Sequence, residues 1–187
     1  MPMLEVRRHS YTKKDEARDH GSHLSSAGVA LARKIGSQIG PFERVVTSDI
    51  PRTLETALAM GFAVDEIMPA LGQLPEAFWA EVGRHDHWSW PRPFARYREL
   101  IALGQQAAAL GKVQANIWIN TLEQLAPDGS LLVLSHGHAI EAGLVTCFPS
   151  GQLDELSLPF RHCEGFRASY VDQRFMKLEI QRNGDSE

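Results

Sequence analysis

The sequence predicts an α/β fold with an at least partly parallel central sheet. Three short β-rich runs, Met3 to Val6, Glu43 to Thr47 and Leu131 to Leu134, each end at a polar residue. Each run is followed by a loop and then by a stretch with helical spacing of its apolar residues. Because strands that alternate with helices along a chain typically form covered parallel sheets, this order favours an α/β sandwich.

The first predicted helix follows a polar loop that extends to about Leu24. Apolar residues recur at every fourth position from Ala27 to Ile39, which is the spacing of one helix face. Ser25 and Ser26 are candidate N-caps, and Gly40-Pro41 ends the pattern.

Two further helices are predicted directly after the second and third strands. Ser48 to Pro51 combines polar caps with a first-turn proline, so a helix beginning there carries Arg52 in its first turn. The third strand is followed by His136-Gly137-His138 and then by a helical stretch from Ala139 to Thr146.

The remainder of the chain is predicted to complete a single domain over residues 1–187. A long helical and loop excursion occupies about 71–126, and its helical pattern resumes from about Phe94. Beyond Leu156, one or two closing strands are expected, antiparallel at an edge of the sheet. The excursion begins with loop material that contains Trp79, His85, His87, Trp88 and Trp90.

The composition is that of a globular protein. Hydrophobic residues make up 43% and charged residues 22%, and no run approaches the roughly 20 apolar residues that cross a bilayer. The net charge of -4 argues against a nucleic-acid surface. No apolar leader is visible, so a cytoplasmic location is expected. Cys147 and Cys163 lie at no metal-ligand spacing and are expected to be reduced.

Basic side chains follow all three predicted strands. Arg8 and His9 follow the first, Arg52 the second and His136 the third. Because the carboxyl ends of neighbouring parallel strands meet at one edge, these four side chains are expected in one crevice. Two arginines could hold the oxygens of a phosphoryl group while one neutral imidazole attacks phosphorus and the other stabilises charge.

Four separated motifs resemble those of the histidine phosphatase superfamily, which is related to the cofactor-dependent phosphoglycerate mutases. Residues 8–10, Arg-His-Ser, resemble Arg-His-Gly, and residues 24–28, Leu-Ser-Ser-Ala-Gly, resemble Leu-Thr-x-x-Gly. Residues 48–57 resemble Ser-x-Leu-x-Arg-Ala-x-x-Thr-Ala, and residues 135–137 resemble the late His-Gly. The resemblance implies a phosphoglycerate mutase-like, three-layer α/β/α sandwich whose mostly parallel sheet has an antiparallel edge strand.

The resemblance also implies a role for each matched residue. His9 would be the nucleophile that forms a phosphohistidine, with Arg8, Arg52, His136 and Gly137 as the phosphate pocket. Hydrolysis of a phosphomonoester or phosphoramidate would need no metal and no organic cofactor. The expected substrate is a small phosphorylated molecule or a phosphoprotein.

Two further positions bear on turnover. Glu76, in Leu74-Pro75-Glu76, matches the family's Leu-x-Glu position, whose glutamate protonates the leaving oxygen; Glu81 is the second candidate. Ser10 stands where the family has glycine, which adds a Cβ close to the expected phosphate.

Two other functions are also compatible with the sequence. A catalytically weak phosphate-binding or protein-interaction module would keep the pocket without turnover. A metallohydrolase would use the His-x-His pairs His85/His87 and His136/His138, but no third ligand follows at a known metallohydrolase spacing. Solvated loop histidines are therefore the favoured interpretation of His85 and His87.

Overall fold

One mixed sheet runs through the part of the chain that the computed structural model describes, residues 1–13, 21–83 and 88–184. Its strand order is β3-β2-β4-β1-β5-β6: the first four strands are parallel, β5 pairs antiparallel with β1, and β6 pairs antiparallel with β5. The strands are β1 (Met3–Arg8), β2 (Arg44–Thr47), β3 (Glu66–Ile67), β4 (Ser130–Ser135), β5 (Gly165–Val171) and β6 (Arg174–Gln181). The predicted mostly parallel sheet is confirmed, and its antiparallel part contains two strands.

Helices cover both faces of this sheet. They are α1 (Ser26–Gly36), α2 (Pro51–Met60), α3 (Glu76–Val82), α4 (Pro93–Ala102), α5 (Gln106–Leu122) and α6 (Ala139–Cys147). Successive strand residues point to opposite faces, so Val45 packs with α1 and α2 whereas Val46 packs with α3 to α6. On β4, Leu132 lies on the same face as Val45, and Leu131 lies on the same face as Val46. The three layers of the predicted sandwich are therefore present.

The excursion before β4 is largely helical. Trp79, expected in a loop, lies instead on α3, where Phe78 and Val82 are buried one turn apart. Seven residues are too few for a clear helical period, so the sequence pattern missed this helix. His85 and His87 lie outside the described residues. None of the helices in the described ranges is long and apolar enough to cross a bilayer.

The first helix begins as predicted and ends early. Ser25 is its N-cap, and its Oγ accepts a hydrogen bond of 3.1 Å from the Gly28 amide. The helix ends at Gly36, and the Gln38 amide then bonds to the Ile35 carbonyl three residues back, which makes a turn instead of a further helical residue. Ile39, expected on the helix, packs against the α1/α2 core from the following turn.

The strands β1, β2 and β4 end at one level of the sheet. Arg8 is in register with Ser135, and Thr47 with Leu134. The residues that follow, including His9 and His136, therefore emerge side by side at the carboxyl edge.

Candidate active site

Two histidine rings face each other at the carboxyl edge of the sheet. His9 follows β1, His136 follows β4, and their ring centroids lie 5.3 Å apart. Both rings are buried. The structure thus brings together the two histidines on which the sequence prediction depends.

The hydrogen bonding of His9 determines which of its nitrogens is reactive. Nδ1 lies 2.8 Å from the carbonyl oxygen of Ser10, and since a carbonyl only accepts, the proton belongs on Nδ1. Nε2 therefore carries the lone pair. Burial, followed by the nearby His136, Arg8 and Arg52, lowers the pKa of His9 well below its ordinary value. His9 is accordingly neutral and nucleophilic at neutral pH.

His136 is held through both nitrogens. Its Nδ1 lies 3.1 Å from an Nη of Arg52, and since a guanidinium only donates, Nδ1 is the acceptor. Its proton is then on Nε2, which donates to Ser48 Oγ over 2.8 Å. A Cβ on Gly72 would lie 3.1 Å from this Nε2, so glycine allows the turn after Leu71 to pack tightly against the ring.

The two arginines are positioned by contacts from different elements. Arg52 lies in the first turn of α2, and its second Nη donates 2.9 Å to Ser22 Oγ. Arg8 donates 2.9 Å from Nη1 to the Phe160 carbonyl, and its guanidinium lies 4.6 Å from the Trp88 ring. Arg8, His9, Arg52 and His136 together form what we call the basic pocket.

The backbone after His9 is fixed by both helices of one face. The Ser10 amide donates 3.0 Å to Thr56 Oγ1 on α2, and the Ser10 hydroxyl donates 2.7 Å to the Gly28 carbonyl on α1. The Ser10 hydroxyl, at the position where the similar motif has glycine, is thus bonded to α1.

The loop from His136 into α6 passes directly beside Arg8. A Cβ on Gly137 would lie 3.4 Å from the Arg8 Cζ atom, so the loop backbone packs against the guanidinium. His138 follows with a φ of 65° and is buried, and its Nδ1 is hydrogen bonded to the Tyr97 hydroxyl. The second His-x-His pair is therefore engaged by protein groups. Among the described residues, no group of three or more His, Cys, Asp or Glu side chains could hold a metal ion.

The two candidate acids lie on the same helix in different environments. Glu81 accepts from the backbone amides of Gln106 and Ala107, at 2.7 and 3.1 Å, so both its oxygens cap the start of α5. Glu76 is exposed at the first position of α3. Three residues on, Trp79 contacts the His138 ring at a centroid distance of 5.1 Å. Phe78 also contacts the His138 ring, at 5.5 Å, so the middle of α3 packs against the loop that carries His136.

Three residues near the basic pocket had no signal in the sequence. His162 contacts the His9 ring at 5.5 Å, Ser22 holds Arg52, and Glu141 accepts 2.9 Å from the Phe160 amide beside Arg8. Each meets the pocket only through folding of distant segments, so only a structure could find them.

Comparison with known proteins identifies the family. The model of the histidine phosphatase superfamily (branch 1) matches residues 6–178. No curated protein sequence matches the chain. Many solved structures share its fold, and the three that follow do so at low identity. A phosphoserine phosphatase from Entamoeba histolytica in complex with 3-phosphoglyceric acid has a TM-score of 0.72 at 16% identity, with 98% of both chains covered.

The two other structures are of similar size. A phosphoglycerate mutase from Bacillus anthracis str. Sterne has a TM-score of 0.70 at 19% identity, covering 98% of this chain and 92% of its own. A mycobacterial glucosyl-3-phosphoglycerate phosphatase has a TM-score of 0.63 at 19% identity, covering 96% of this chain and 97% of its own.

Proposed function

The chain belongs to the histidine phosphatase superfamily, branch 1, and from this premise we propose that it is a metal-independent phosphatase acting through a covalent phosphohistidine on His9. Membership of the family supports a phosphatase. One observation carries the proposed mechanism: His9 is neutral, its proton is tied to the Ser10 carbonyl, and its free Nε2 lies in a pocket with two arginines.

In the first step, His9 Nε2 attacks phosphorus and the bond from phosphorus to the leaving oxygen breaks. Arg8 and Arg52 balance the charge of the phosphoryl oxygens. Glu76 donates the proton that the leaving oxygen needs, and the leaving group departs as an alcohol.

The second step regenerates the enzyme. Water attacks the phosphohistidine, the ionised Glu76 takes a proton from that water, and the phosphorus–nitrogen bond breaks. Inorganic phosphate leaves, and His9 returns to the neutral form that its hydrogen bond to Ser10 favours.

His136 and Arg52 must exchange partners when phosphate binds. Arg52 donates to His136 Nδ1, which leaves that nitrogen without a proton to offer a phosphoryl oxygen. A phosphate oxygen that accepts from Arg52 displaces this contact. His136 then carries a second proton, taken from the phosphate or from solvent, in order to donate to the same group.

The substrate that we propose is a small phosphorylated molecule or a phosphoprotein, met in the cytoplasm. The test measures turnover of p-nitrophenyl phosphate in excess chelator. A second assay uses the same substrate with a radiolabelled phosphate and a rapid quench without acid, which traps the phosphoenzyme. We expect turnover in chelator, an acid-labile label on the wild type, and neither label nor turnover for His9→Ala.

Two outcomes would reject this proposal. Tight binding of phosphate without turnover on a broad phosphoester panel would indicate a binding module instead. Activity that is lost in chelator but kept by His9→Ala would indicate metal-dependent hydrolysis.

A further inference from the structure

Four rings form a row that leads from the buried pocket to the protein surface. The ring of His136 contacts that of His9 at 5.3 Å, His9 contacts His162 at 5.5 Å, and His162 contacts Tyr11 at 4.5 Å. His136 and His9 are buried, His162 is partly buried, and Tyr11 is 46% exposed. Exposure along this row therefore increases from His9 towards Tyr11.

A second exposed ring packs on Arg8, the residue before His9. Trp88 is 40% exposed, and the Arg8 guanidinium lies 4.6 Å from its ring centroid. Tyr11 and Trp88 are the only aromatic residues among the exposed large hydrophobic side chains of the described residues. Trp88 contacts the basic pocket at Arg8, and Tyr11 is joined to it through His162. Because exposed aromatic side chains concentrate at binding sites, this coincidence indicates a site for part of the substrate.

The Tyr11 ring sits on a fixed backbone. Its carbonyl accepts 3.0 Å from the Ser25 amide at the start of α1, and the neighbouring Thr12 forms a β-bridge with Leu24. A rigid platform loses little entropy when a ligand packs on it.

The His162 ring, which contacts Tyr11, carries no charge at neutral pH. Burial, and then the nearby Arg8, lowers the pKa of His162 to about 3. A neutral imidazole has no positive charge with which to attract a carboxylate. The neighbouring structures hold 3-phosphoglyceric acid and phosphoserine, which both carry a carboxylate close to the phosphate.

We propose that Tyr11 and Trp88 are specificity-determining residues that select phosphomonoesters whose leaving group carries an aromatic ring. This inference rests on the proposed function and specifies its substrate class. Arg8, His9, Arg52 and His136 hold the phosphoryl group, and the exposed rings pack against the flat part of the leaving group. Aryl phosphates, phosphotyrosine and nucleotides share this chemistry.

A matched pair of substrates tests the proposal. Benzyl phosphate and cyclohexylmethyl phosphate are both primary alkyl esters with leaving alcohols of similar acidity, and they differ in whether the ring is aromatic. We expect the wild type to have the higher kcat/KM for benzyl phosphate. Phosphoserine is the third substrate. It tests whether the exposed cations Lys13 and Arg161, which are close to Tyr11 and His162 in sequence, bind a carboxylate instead.

The variants are Tyr11→Ala, Tyr11→Phe and Trp88→Ala. We expect each alanine variant to lower kcat/KM for benzyl phosphate about threefold to tenfold, the size of one aromatic contact, with little change for cyclohexylmethyl phosphate. Tyr11→Phe retains the preference because it keeps the ring. Met176→Ala, on an exposed residue of β6, is the control and leaves every rate unchanged.

Phosphotyrosine and adenosine 5′-monophosphate distinguish the two kinds of aromatic leaving group, a phenol ring and a nucleoside. The substrate whose kcat/KM falls in Tyr11→Ala or Trp88→Ala is the one that the rings recognise. Equal losses on benzyl and cyclohexylmethyl phosphate, or a wild type that prefers phosphoserine, would overturn this inference while leaving the phosphatase proposal intact. Absence of turnover on every substrate would instead count against the proposed function.

Discussion

At the level of single residues, the chemistry of the pocket depends on which nitrogen holds each proton. Ser10 fixes the proton of His9 on Nδ1, whereas Arg52 and Ser48 fix the proton of His136 on Nε2. The two imidazoles therefore have different functions, although both are buried and each carries one ring proton. One presents a lone pair to phosphorus, and the other can receive a proton from the group that binds.

Glu141 is predicted to orient Arg8 through the backbone of Phe160. The carboxylate accepts from the Phe160 amide and Arg8 donates to the Phe160 carbonyl, both over 2.9 Å. Glu141→Gln keeps an acceptor, so we expect the inhibition constant of inorganic phosphate to stay within about twofold. Glu141→Leu removes it and should raise that constant about fivefold, the value of one neutral hydrogen bond.

Steady-state inhibition and thermal unfolding together measure this effect. If Glu141→Leu lowered the Tm but left the inhibition constant unchanged, the residue would have only a structural role. Equal weakening in both variants would mean that the charge, and not the hydrogen bond to the peptide, matters.

At the level of elements, the sequence motifs correspond to contacts that join one strand end to two helices. Thr56 holds the Ser10 amide, Glu55 accepts from the Leu24 amide over 2.7 Å, and Ala57 is fully buried. Such motifs are predictable because each residue acts within a short segment of fixed geometry. The contacts of Tyr11 with His162 were not predictable, since they join loops from opposite ends of the chain.

Gly28 is predicted to be essential for the junction of α1 with the loop after β1. A Cβ at this position would overlap the Tyr11 carbonyl oxygen, a backbone atom that cannot rotate away. We expect Gly28→Ala to lower the free energy of unfolding by about 1–3 kcal/mol, as for other overpacked sites. Urea denaturation measures this loss.

Gly21 provides the matched control for this substitution. A Cβ there meets no atom within 4 Å, so Gly21→Ala should leave stability within about 0.5 kcal/mol of the wild type. Equal stability of the two variants would contradict the close approach of α1 to the loop.

For the whole molecule, sheet order explains how residues far apart in sequence form one pocket. β4 lies between β2 and β1, so the segments that carry Arg52, His136 and His9 are neighbours. The sequence indicated that these strand ends would meet but not the order of the strands. The two-residue β3 and the seven-residue α3 were not anticipated because both are too short for a periodic signal.

Acid sensitivity of the whole fold follows from its buried imidazoles. Burial lowers the pKa of His9 well below its ordinary value and that of His162 to about 3, so each binds a proton in the folded state only at a lower pH than in the unfolded chain. The unfolded chain takes up these protons below about pH 6.5. Stability is therefore complete above that pH and is lost as pH falls toward the lowered pKa values.

The raised pKa of Glu141 acts in the opposite direction, because the folded state then holds its proton at a higher pH than the unfolded chain. Each imidazole contributes a slope of up to about 1.4 kcal/mol per pH unit. His162→Asn should flatten the dependence of unfolding free energy on pH between 6.5 and 4, because about one proton fewer is taken up on unfolding. Urea titrations at successive pH values measure this slope, and parallel curves for wild type and variant would show that His162 is not held neutral by the fold.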